Sequence, residues 1–212
     1  MNRLVNIRRS FAAAVIVAFA TFVVLAARQL GVTPVRRAPD FRVFGSEKAP
    51  LQIYEYTDLS CPACAAANGT VRHLAEVYGS DVRISFKHYP LEMHKWAETA
   101  AVYADCAGEQ GKFPDYTGML FDRQREWADS REEPIIFNMC AIQLKLDWDR
   151  MKVCVKNPET LKRVRLDAAE GGARGVNATP TFFVNGDKIV GAGQLIERAK
   201  DFDNIIRKKK HE

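Results

Sequence analysis

The sequence predicts an α/β fold in which two halves share one sheet and a helical segment is inserted between them. The first half has the pattern of a β-α-β unit, and the second half has that of a β-β-α unit. Between about residues 90 and 172 the strand signals stop and helical patterns replace them. The roughly 170 residues after position 40 suffice for one hydrophobic core, or for one core with an insertion.

The first half is defined by three strand patterns and one helical pattern. Phe41–Phe44 predicts a short strand and Leu51–Tyr56 a longer one. Val82–Phe86 alternates with the period of 2 that is typical of a strand. Between the last two strands, apolar residues keep helical spacing until Gly79 stops the pattern.

Helix and turn signals in the sequence define the insertion and the second half. Proline marks three predicted helix starts in the insertion, at Pro114, Pro134 and Pro158, and Gly108 and Gly111 mark a break. In the second half, Pro180–Val184 and Lys188–Val190 flank Asn185-Gly186, which predicts a hairpin. One closing helix is predicted, with its apolar residues on one face at Leu195, Ala199, Phe202 and Ile206.

Two cysteines, Cys61 and Cys64, stand at the predicted start of the first helix. Residues i and i+3 share a helix face, so the two thiols can meet at disulfide distance. Cys61 faces the unpaired N–H groups and positive dipole end of the helix, where Pro62 is tolerated. Such sites lower a cysteine pKa from about 8.5 to roughly 3.5–7.5. A stabilised thiolate favours the reduced form, which makes the disulfide a better oxidant.

A structural disulfide and half of a zinc site are the alternatives for this cysteine pair. Zinc would need a second closely spaced pair, but Cys106, Cys140 and Cys154 are dispersed. Haem attachment would need histidine after the second cysteine, where Ala65 stands. The pattern therefore favours a redox couple, and no metal or organic cofactor is expected.

The N-terminal segment, residues 1–27, has the pattern of a membrane anchor or a signal peptide. Three arginines precede the uncharged run Phe11–Ala27, which at about 1.5 Å per residue is near the lower limit for spanning a bilayer. A signal peptide could be cleaved after Ala18-Phe19-Ala20, but Phe22–Leu25 continues the apolar run, which favours an uncleaved single-pass transmembrane helix. Because a dithiol oxidant persists only outside the reducing cytosol, we expect the following domain on the periplasmic side of the inner membrane, with secretion as the alternative.

Residues 28–40 contain glycine, two prolines and arginines without periodicity, and they predict a linker. The net charge of +5 comes largely from this stretch and from the tail Arg207–Lys210. Nucleic-acid binding is disfavoured, because the basic residues are terminal and have no interleaved aromatic residues. Solvation or contact with anionic lipid headgroups explains these charges better.

The predicted element order resembles the thioredoxin fold of the DsbA family of thiol:disulfide oxidoreductases, over about Phe44 to Ile206. Three motifs carry this resemblance: Cys61–Cys64, Cys106–Phe113 and Gly175–Gly186. It implies a thioredoxin domain at residues 41–212 with a helical insertion at about 90–172.

The resemblance also implies roles for individual residues. Pro180 would be a cis-proline lying against the dithiol, and the Thr179 backbone would pair with an extended substrate segment. Glu55, six residues before Cys61, would be a buried acid that exchanges the proton of Cys64. The alternative for Glu55 is an outward-facing glutamate on an edge strand.

Several further expectations concern the surroundings of this site. Lys87 could pair with Glu55, while His88 and His94 are expected to pack or cap rather than catalyse. The best-known oxidases of the family carry histidine where this chain has Ala63, so a less oxidising couple is expected. Many relatives have a cysteine pair at the positions of Cys106 and Cys154, which implies a structural disulfide there. Cys140 is then a buried free thiol, and pairing of Cys140 with Cys154 is the alternative.

The expected activity is donation of the Cys61–Cys64 disulfide to reduced exported proteins. A quinone-linked membrane partner is expected to re-oxidise the dithiol. A reductase or isomerase of the same fold is the first alternative. A copper metallochaperone is the second, and it is disfavoured because no methionine- or histidine-rich motif lies near Cys64.

Overall fold

The computed structural model describes Val15, Ile16, Ala18 and residues 35–211. Most of the predicted anchor or signal, residues 1–27, lies outside the described residues, so that interpretation stays a prediction. Across the described ranges, no helix combines the length and the apolar character needed to cross a membrane.

The described chain contains the predicted β-α-β and β-β-α halves with helices between them. Its strands are β1 Val43–Phe44, β2 Leu51–Thr57, β3 Val82–His88, β4 Thr181–Val184 and β5 Asp187–Val190. Its α-helices are α1 Pro62–Tyr78, α2 Ala97–Gly108, α3 Phe113–Asp122, α4 Ile136–Gln143, α5 Trp148–Val155, α6 Pro158–Ala173, α7 Gly191–Ala199 and α8 Phe202–Lys210. Short 3-10 turns occupy Asp40–Arg42, Gly79–Asp81 and Gln124–Glu126.

The strands form one mixed sheet in the order β1-β3-β2-β4-β5, with β2 at its centre. β2 and β3 are parallel and are connected through α1, as a β-α-β unit requires. β4 pairs antiparallel with β2 and, through the predicted hairpin, with β5. Asn185 and Gly186 of the hairpin both have positive φ, of 49° and 100°, as a type I′ turn demands. The central position of β2 puts the end of this strand, and the cysteines that follow it, in the middle of the fold.

Two predicted elements differ from the structure. The strand at Phe41–Phe44 is reduced to Val43–Phe44, because Asp40–Arg42 forms a 3-10 turn that carries the Arg42 side chain inward. The prediction of a single closing helix is wrong, because the chain turns at Lys200 and Asp201 and forms the two helices α7 and α8. Both helices still place their apolar residues in the core against β2 and β4, which is why one continuous apolar face was predicted.

The two larger hydrophobic clusters both include residues of the first helix, and a third, smaller one surrounds Tyr56. One packs α1, α7 and α8 against the sheet and includes Leu51, Phe182 and Phe202. The other belongs to the insertion and includes Trp127 and Phe137. Both Cys61 and Cys64 belong to this second core. Each large side chain buried here contributes about 1.5–3 kcal/mol, so the insertion stabilises the segment that carries the thiols.

A buried cluster of charges joins the N-terminal turn, the sheet and the insertion. The Arg42 guanidinium donates to Asp105 Oδ1 at 2.6 Å and also pairs with Asp167. Arg36 donates to Asp167 at 2.7 Å, so residues 36–40 of the predicted linker contact the domain. Burial raises the pKa of Asp105, but hydrogen bonds and charges from His88 and Arg42 outweigh this effect and hold the pKa below its ordinary value.

This cluster also corrects the expected partner of Lys87. Its ammonium lies 3.5 Å from Asp167 and 3.3 Å from Glu170, and it does not pair with Glu55. His88 follows Lys87 and is buried, with Nε2 at 3.0 Å from Asp105 Oδ1. Burial is the largest cause of the lowered pKa of His88. Lys87 and His88 therefore bind the sheet to α2 and α6 and lie apart from the thiols.

The remaining cysteines divide as the family resemblance implied. A disulfide connects Cys106 of α2 to Cys154 of α5, with the two Cα atoms 5.7 Å apart. Cys140 of α4 is a buried free thiol, so the alternative pairing of Cys140 with Cys154 is wrong. The disulfide closes a loop within the insertion and restricts its unfolded chain.

Replacing Arg42 by Met tests the buried charge cluster. The change removes the cation shared by Asp105 and Asp167, so we expect the free energy of unfolding to fall by about 3–5 kcal/mol at neutral pH. The difference in unfolding free energy between the native protein and the variant becomes smaller in acid, because the carboxylates of the variant take up protons more readily. Urea denaturation followed by circular dichroism measures both effects. Arg37→Met is the matched control, since Arg37 forms only exposed pairs with Asp40 and Glu47. Equal stability of the two variants would contradict the prediction.

Candidate active site

The dithiol occupies the junction between β2 and α1. Cys61 is the N-cap residue, with extended backbone angles of −79° and 121°, and Pro62 follows in the first turn. The N–H groups of Cys64 and Ala65 donate to the Cys61 carbonyl at 3.0 and 3.1 Å. Cys64 thus lies one turn into the helix, directly beside Cys61, as the i, i+3 spacing predicts.

The two sulfur atoms have unequal access to solvent. Both thiols are free, and Cys61 is 7% exposed while Cys64 is 0% exposed. Cys61 Sγ lies 3.5 Å from the carbonyl oxygen of Thr179, and the Thr179–Pro180 peptide bond is cis. The structure therefore brings the four residues Cys61, Cys64, Thr179 and Pro180 together, and an incoming sulfur can reach only Cys61.

The two thiols also have opposite pKa shifts. The hydrogen bond with Cys64 is the main cause that lowers the pKa of Cys61 to about 5, against the effect of burial. The Thr179 side chain and the backbone N–H groups of Ala63 and Cys64 add to this lowering. Burial, followed by the hydrogen bond and charge of Cys61, raises the pKa of Cys64 far above its ordinary value. At neutral pH the pair holds one negative charge, and this charge lies on Cys61.

Glu55 lies on the central strand with neighbours on both sides. Its register partners are Phe86 on β3 and Phe182 on β4, so the alternative of an edge-strand glutamate is wrong. Burial raises the pKa of Glu55 to about 7, although the Thr57 side chain opposes this shift. A carboxyl with this pKa can donate and accept a proton near neutral pH.

A cavity of about 590 Å³ opens beside Glu55. Its walls come from α1, α3 and the β1 and β3 strands, and they include Asn68, Ile84 and Phe113. Neither thiol lines it. The cavity therefore approaches the site from the side of the acid rather than from the side of the reactive sulfur.

Asp58 holds the loop before the dithiol, and the sequence did not single it out. Its buried carboxylate accepts hydrogen bonds from the N–H of Ser60 at 2.7 Å and of Leu91 at 2.9 Å. His94 Nδ1 lies 2.7 Å from the same carboxylate. The N–H of Asp58 donates to Cys64 Sγ at 3.4 Å. The Asp-x-Ser pattern suits a local Asx turn, but nothing local indicates Leu91 or His94 as partners.

Gln124 is a second residue that sequence reasoning missed. It lies in the 3-10 turn of the insertion, and its Nε2 donates to the carbonyls of Leu59 at 2.8 Å and Cys61 at 3.0 Å. These contacts bridge a separation of more than sixty residues. The insertion thus fixes the backbone on which Cys61 is mounted.

Comparison with known proteins places this arrangement in a family. The family model described as Thioredoxin matches residues 38–207. The crystal structure of Wolbachia pipientis alpha-DsbA1 superposes with a TM-score of 0.73 at 20% identity, covering 86% of this chain and 97% of that one. BdbD from Bacillus subtilis, in its oxidised form, gives a TM-score of 0.66 at 22% identity over 78% of this chain and 92% of that one. The predicted DsbA-like thioredoxin fold with a helical insertion is confirmed.

Curated relatives match the chain over part of their length. A protein named Na(+)/H(+) antiporter NhaA 1 from Mycolicibacterium vanbaalenii is 38% identical over 147 residues, which are 68% of this chain and 23% of that protein. The NhaA antiporter of Herminiimonas arsenicoxydans is 36% identical over 148 residues, or 70% of this chain and 23% of that protein. The chain spans about a quarter of the length of these relatives. With the family model matching most of the chain and the dithiol at its helix junction, this chain belongs to the thioredoxin family and has the DsbA-like form of its fold.

Proposed function

We propose that this protein is an extracytoplasmic thiol:disulfide oxidoreductase that donates the Cys61–Cys64 disulfide to reduced exported proteins. The observation that carries the proposal is the asymmetry of the two sulfur atoms. Cys61 can be reached and is stable as a thiolate, while Cys64 is fully buried and stable as a thiol. This is the arrangement in which one sulfur exchanges with substrate and the other resolves the exchange.

The reaction proceeds by two sulfur exchanges. A substrate thiolate attacks Cys61 Sγ of the disulfide, so a substrate–Cys61 bond forms, the Cys61–Cys64 bond breaks, and Cys64 leaves as a thiolate that takes up a proton. A second thiolate of the substrate then attacks the substrate sulfur and releases Cys61 as a thiolate. The substrate loses two electrons and becomes a disulfide, while the protein gains them as the dithiol. The low pKa of Cys61 makes it a good leaving group in the second step.

Substrate binding is assigned to the segment before β4. Thr179 lies beside Cys61 Sγ, and Pro180 leads into the strand that begins at Thr181. An extended substrate segment can pair with the Thr179 backbone in the manner of an added strand, which presents its sulfur to Cys61. Glu55 supplies or takes the proton of Cys64 from within the sheet.

The cellular setting is part of the proposal. The apolar run Phe11–Ala27 would hold the domain at the periplasmic face of the inner membrane, and cleavage with secretion is the alternative. The Cys106–Cys154 disulfide supports an oxidising compartment. A quinone-linked membrane partner would re-oxidise the dithiol between substrates.

Two other activities use the same residues. A reductase or isomerase would run the exchange in the other direction, and Ala63 in place of histidine supports a couple that is less oxidising than the strongest oxidases. A copper metallochaperone would need both sulfurs as deprotonated ligands. The burial and raised pKa of Cys64 oppose that use.

The pKa of Cys61 can be measured through its rate of alkylation. In the reduced protein, we expect the rate of reaction with iodoacetamide to rise with an inflexion at about pH 5. Cys64→Ala removes the largest stabilising hydrogen bond, so its inflexion moves to higher pH. Cys140 is buried and serves as the internal control, because it stays unmodified in the folded protein. An inflexion near that of free cysteine in the native protein contradicts the proposal.

Replacing Cys64 by Ala in cells identifies what reacts with Cys61. Without the resolving thiol, mixed disulfides with Cys61 persist and can be separated on non-reducing gels. We expect several exported proteins to be trapped. Cys61→Ala is the matched control and traps none, since the remaining Cys64 is fully buried. Trapping of a single electron-transfer protein would instead indicate a dedicated reductive pathway.

The reduction potential decides the direction of electron flow. We expect the Cys61–Cys64 couple, equilibrated with glutathione redox buffers, to be more oxidising than thioredoxin at about −270 mV, because the thiolate stabilises the dithiol form. Ala63→His is expected to make the couple more oxidising still. A native value near −270 mV would rule out the oxidase and favour the reductase.

A further inference from the structure

Three hydroxyl groups at the dithiol are buried without a hydrogen bond. They belong to Thr57, Ser60 and Thr179. Within the described part of the chain, the only other buried side-chain atom in this condition is Asn138 Oδ1. Buried hydroxyls normally have partners, so a group of unsatisfied ones at a reactive site calls for a functional reason. Of the three, Thr57 lies deepest in the fold, at the end of the central strand and 0% exposed.

The Thr57 side chain neighbours both the resolving thiol and the buried acid. Thr57 and Glu55 are two residues apart on β2, so their side chains lie on the same face of the sheet. Cys64 lies against the end of this strand, because the N–H of Asp58, the residue after Thr57, donates to Cys64 Sγ at 3.4 Å. The Thr57 side chain lowers the pKa of both Glu55 and Cys64 against the stronger effect of burial, as a donor to either anion would.

We propose that the Thr57 hydroxyl is the group through which Cys64 and Glu55 exchange a proton. This inference rests on the proposed function, and it gives Thr57 the role of a proton relay between the thiol and the acid. When substrate attack on Cys61 releases Cys64 as a thiolate, the Thr57 O–H proton passes to Cys64 Sγ and the Glu55 carboxyl proton passes to Thr57 Oγ1. The products are the Cys64 thiol, an unchanged Thr57 hydroxyl and the Glu55 carboxylate. When Cys64 attacks a mixed disulfide, the same two protons move in reverse.

A hydroxyl suits this role because it donates and accepts at the same time. The charged side chains Asp58 and Lys87 are already engaged with other partners. The Asp58 carboxylate accepts from Ser60, Leu91 and His94, and the Lys87 ammonium is bound to Asp167 and Glu170. The Thr57 hydroxyl has no hydrogen-bond partner among the described residues.

The cavity beside Glu55 completes the route for the proton. Glu55 is nearly buried, but its side chain lines this space of about 590 Å³, which is large enough to hold water. The other charged residues that line it are Arg42, Arg72, Glu76, Asp115 and Asp122. Glu55 can therefore recover or lose its proton on the side away from the thiols, without opening the Cys61 site.

The test compares Thr57→Val, which keeps the shape and removes the hydroxyl, with Thr57→Ser, which keeps the hydroxyl. Reduced protein is mixed with oxidised glutathione in a stopped-flow instrument. The phase whose rate is independent of glutathione concentration reports the attack of Cys64 on the mixed disulfide at Cys61. In the native protein we expect this rate to rise with an inflexion near pH 7, where Glu55 ionises. Thr57→Val loses the inflexion and is slower by about 10- to 100-fold, while Thr57→Ser retains both.

If the Thr57 hydroxyl only passes a proton, Thr57→Val slows both directions of the exchange equally and leaves the equilibrium constant with glutathione unchanged. A merely structural role of Thr57 predicts that this constant changes. A native-like profile in Thr57→Val, or equal slowing in Thr57→Ser, overturns the inference. Glu55→Gln separates this inference from the proposed function. If Glu55→Gln keeps the inflexion, the proposed role of Glu55 is contradicted. If Glu55→Gln loses the inflexion while Thr57→Val keeps the inflexion, only the proposed role of Thr57 is contradicted.

A second measurement needs no variant. Two protons move together when a hydroxyl links the thiol and the acid, so the rate of the native protein should depend quadratically on the deuterium fraction of the solvent. A linear dependence shows one proton in motion and overturns the inference, even if Thr57→Val does not fold.

Discussion

The unequal burial of two adjacent sulfur atoms is the constraint on which the rest of the structure depends. Two negative charges at this distance inside a protein repel strongly, because little solvent screens them. The pair therefore carries a single charge, and its position follows from which sulfur has donors. Cys61 has the N–H groups of the first helical turn and the Cys64 thiol as donors, whereas the burial of Cys64 in the insertion core outweighs its own donors, such as the Asp58 N–H.

The helical insertion maintains this difference. Gln124 donates to two carbonyls of the loop before the helix, and Asp58 connects the same loop to Leu91 and His94 at the entry to the insertion. The buried cluster around Arg42 holds the insertion against the sheet. Because several independent contacts over-determine the position of the loop, the two sulfur atoms keep their separate environments.

The central strand contributes the other half of the site. β2 ends at Thr57, and Glu55 and Thr57 lie on the same face of the sheet. Placing a carboxyl at the centre of a sheet costs free energy, since no described residue forms an ion pair with it and its pKa rises instead. That cost leaves an acid able to exchange protons near neutral pH on the strand whose end adjoins the buried thiol. The same strand thus carries the acid within its length and leads at its end into the segment that carries the thiols.

Sequence alone determined what depends on near neighbours in the chain. The i, i+3 spacing of Cys61 and Cys64, the Asn185-Gly186 hairpin and the element order all follow from local periodicity and turn chemistry, and the family resemblance placed Pro180 and the Cys106–Cys154 pair. Tertiary structure alone decided the partners of buried polar groups: Lys87 binds Asp167 and Glu170, Asp58 binds His94, and Gln124 binds the Cys61 carbonyl. These contacts join residues dozens of positions apart, and no periodic pattern records them, because a buried charge or amide selects whichever partner the packing of several elements brings within hydrogen-bond distance.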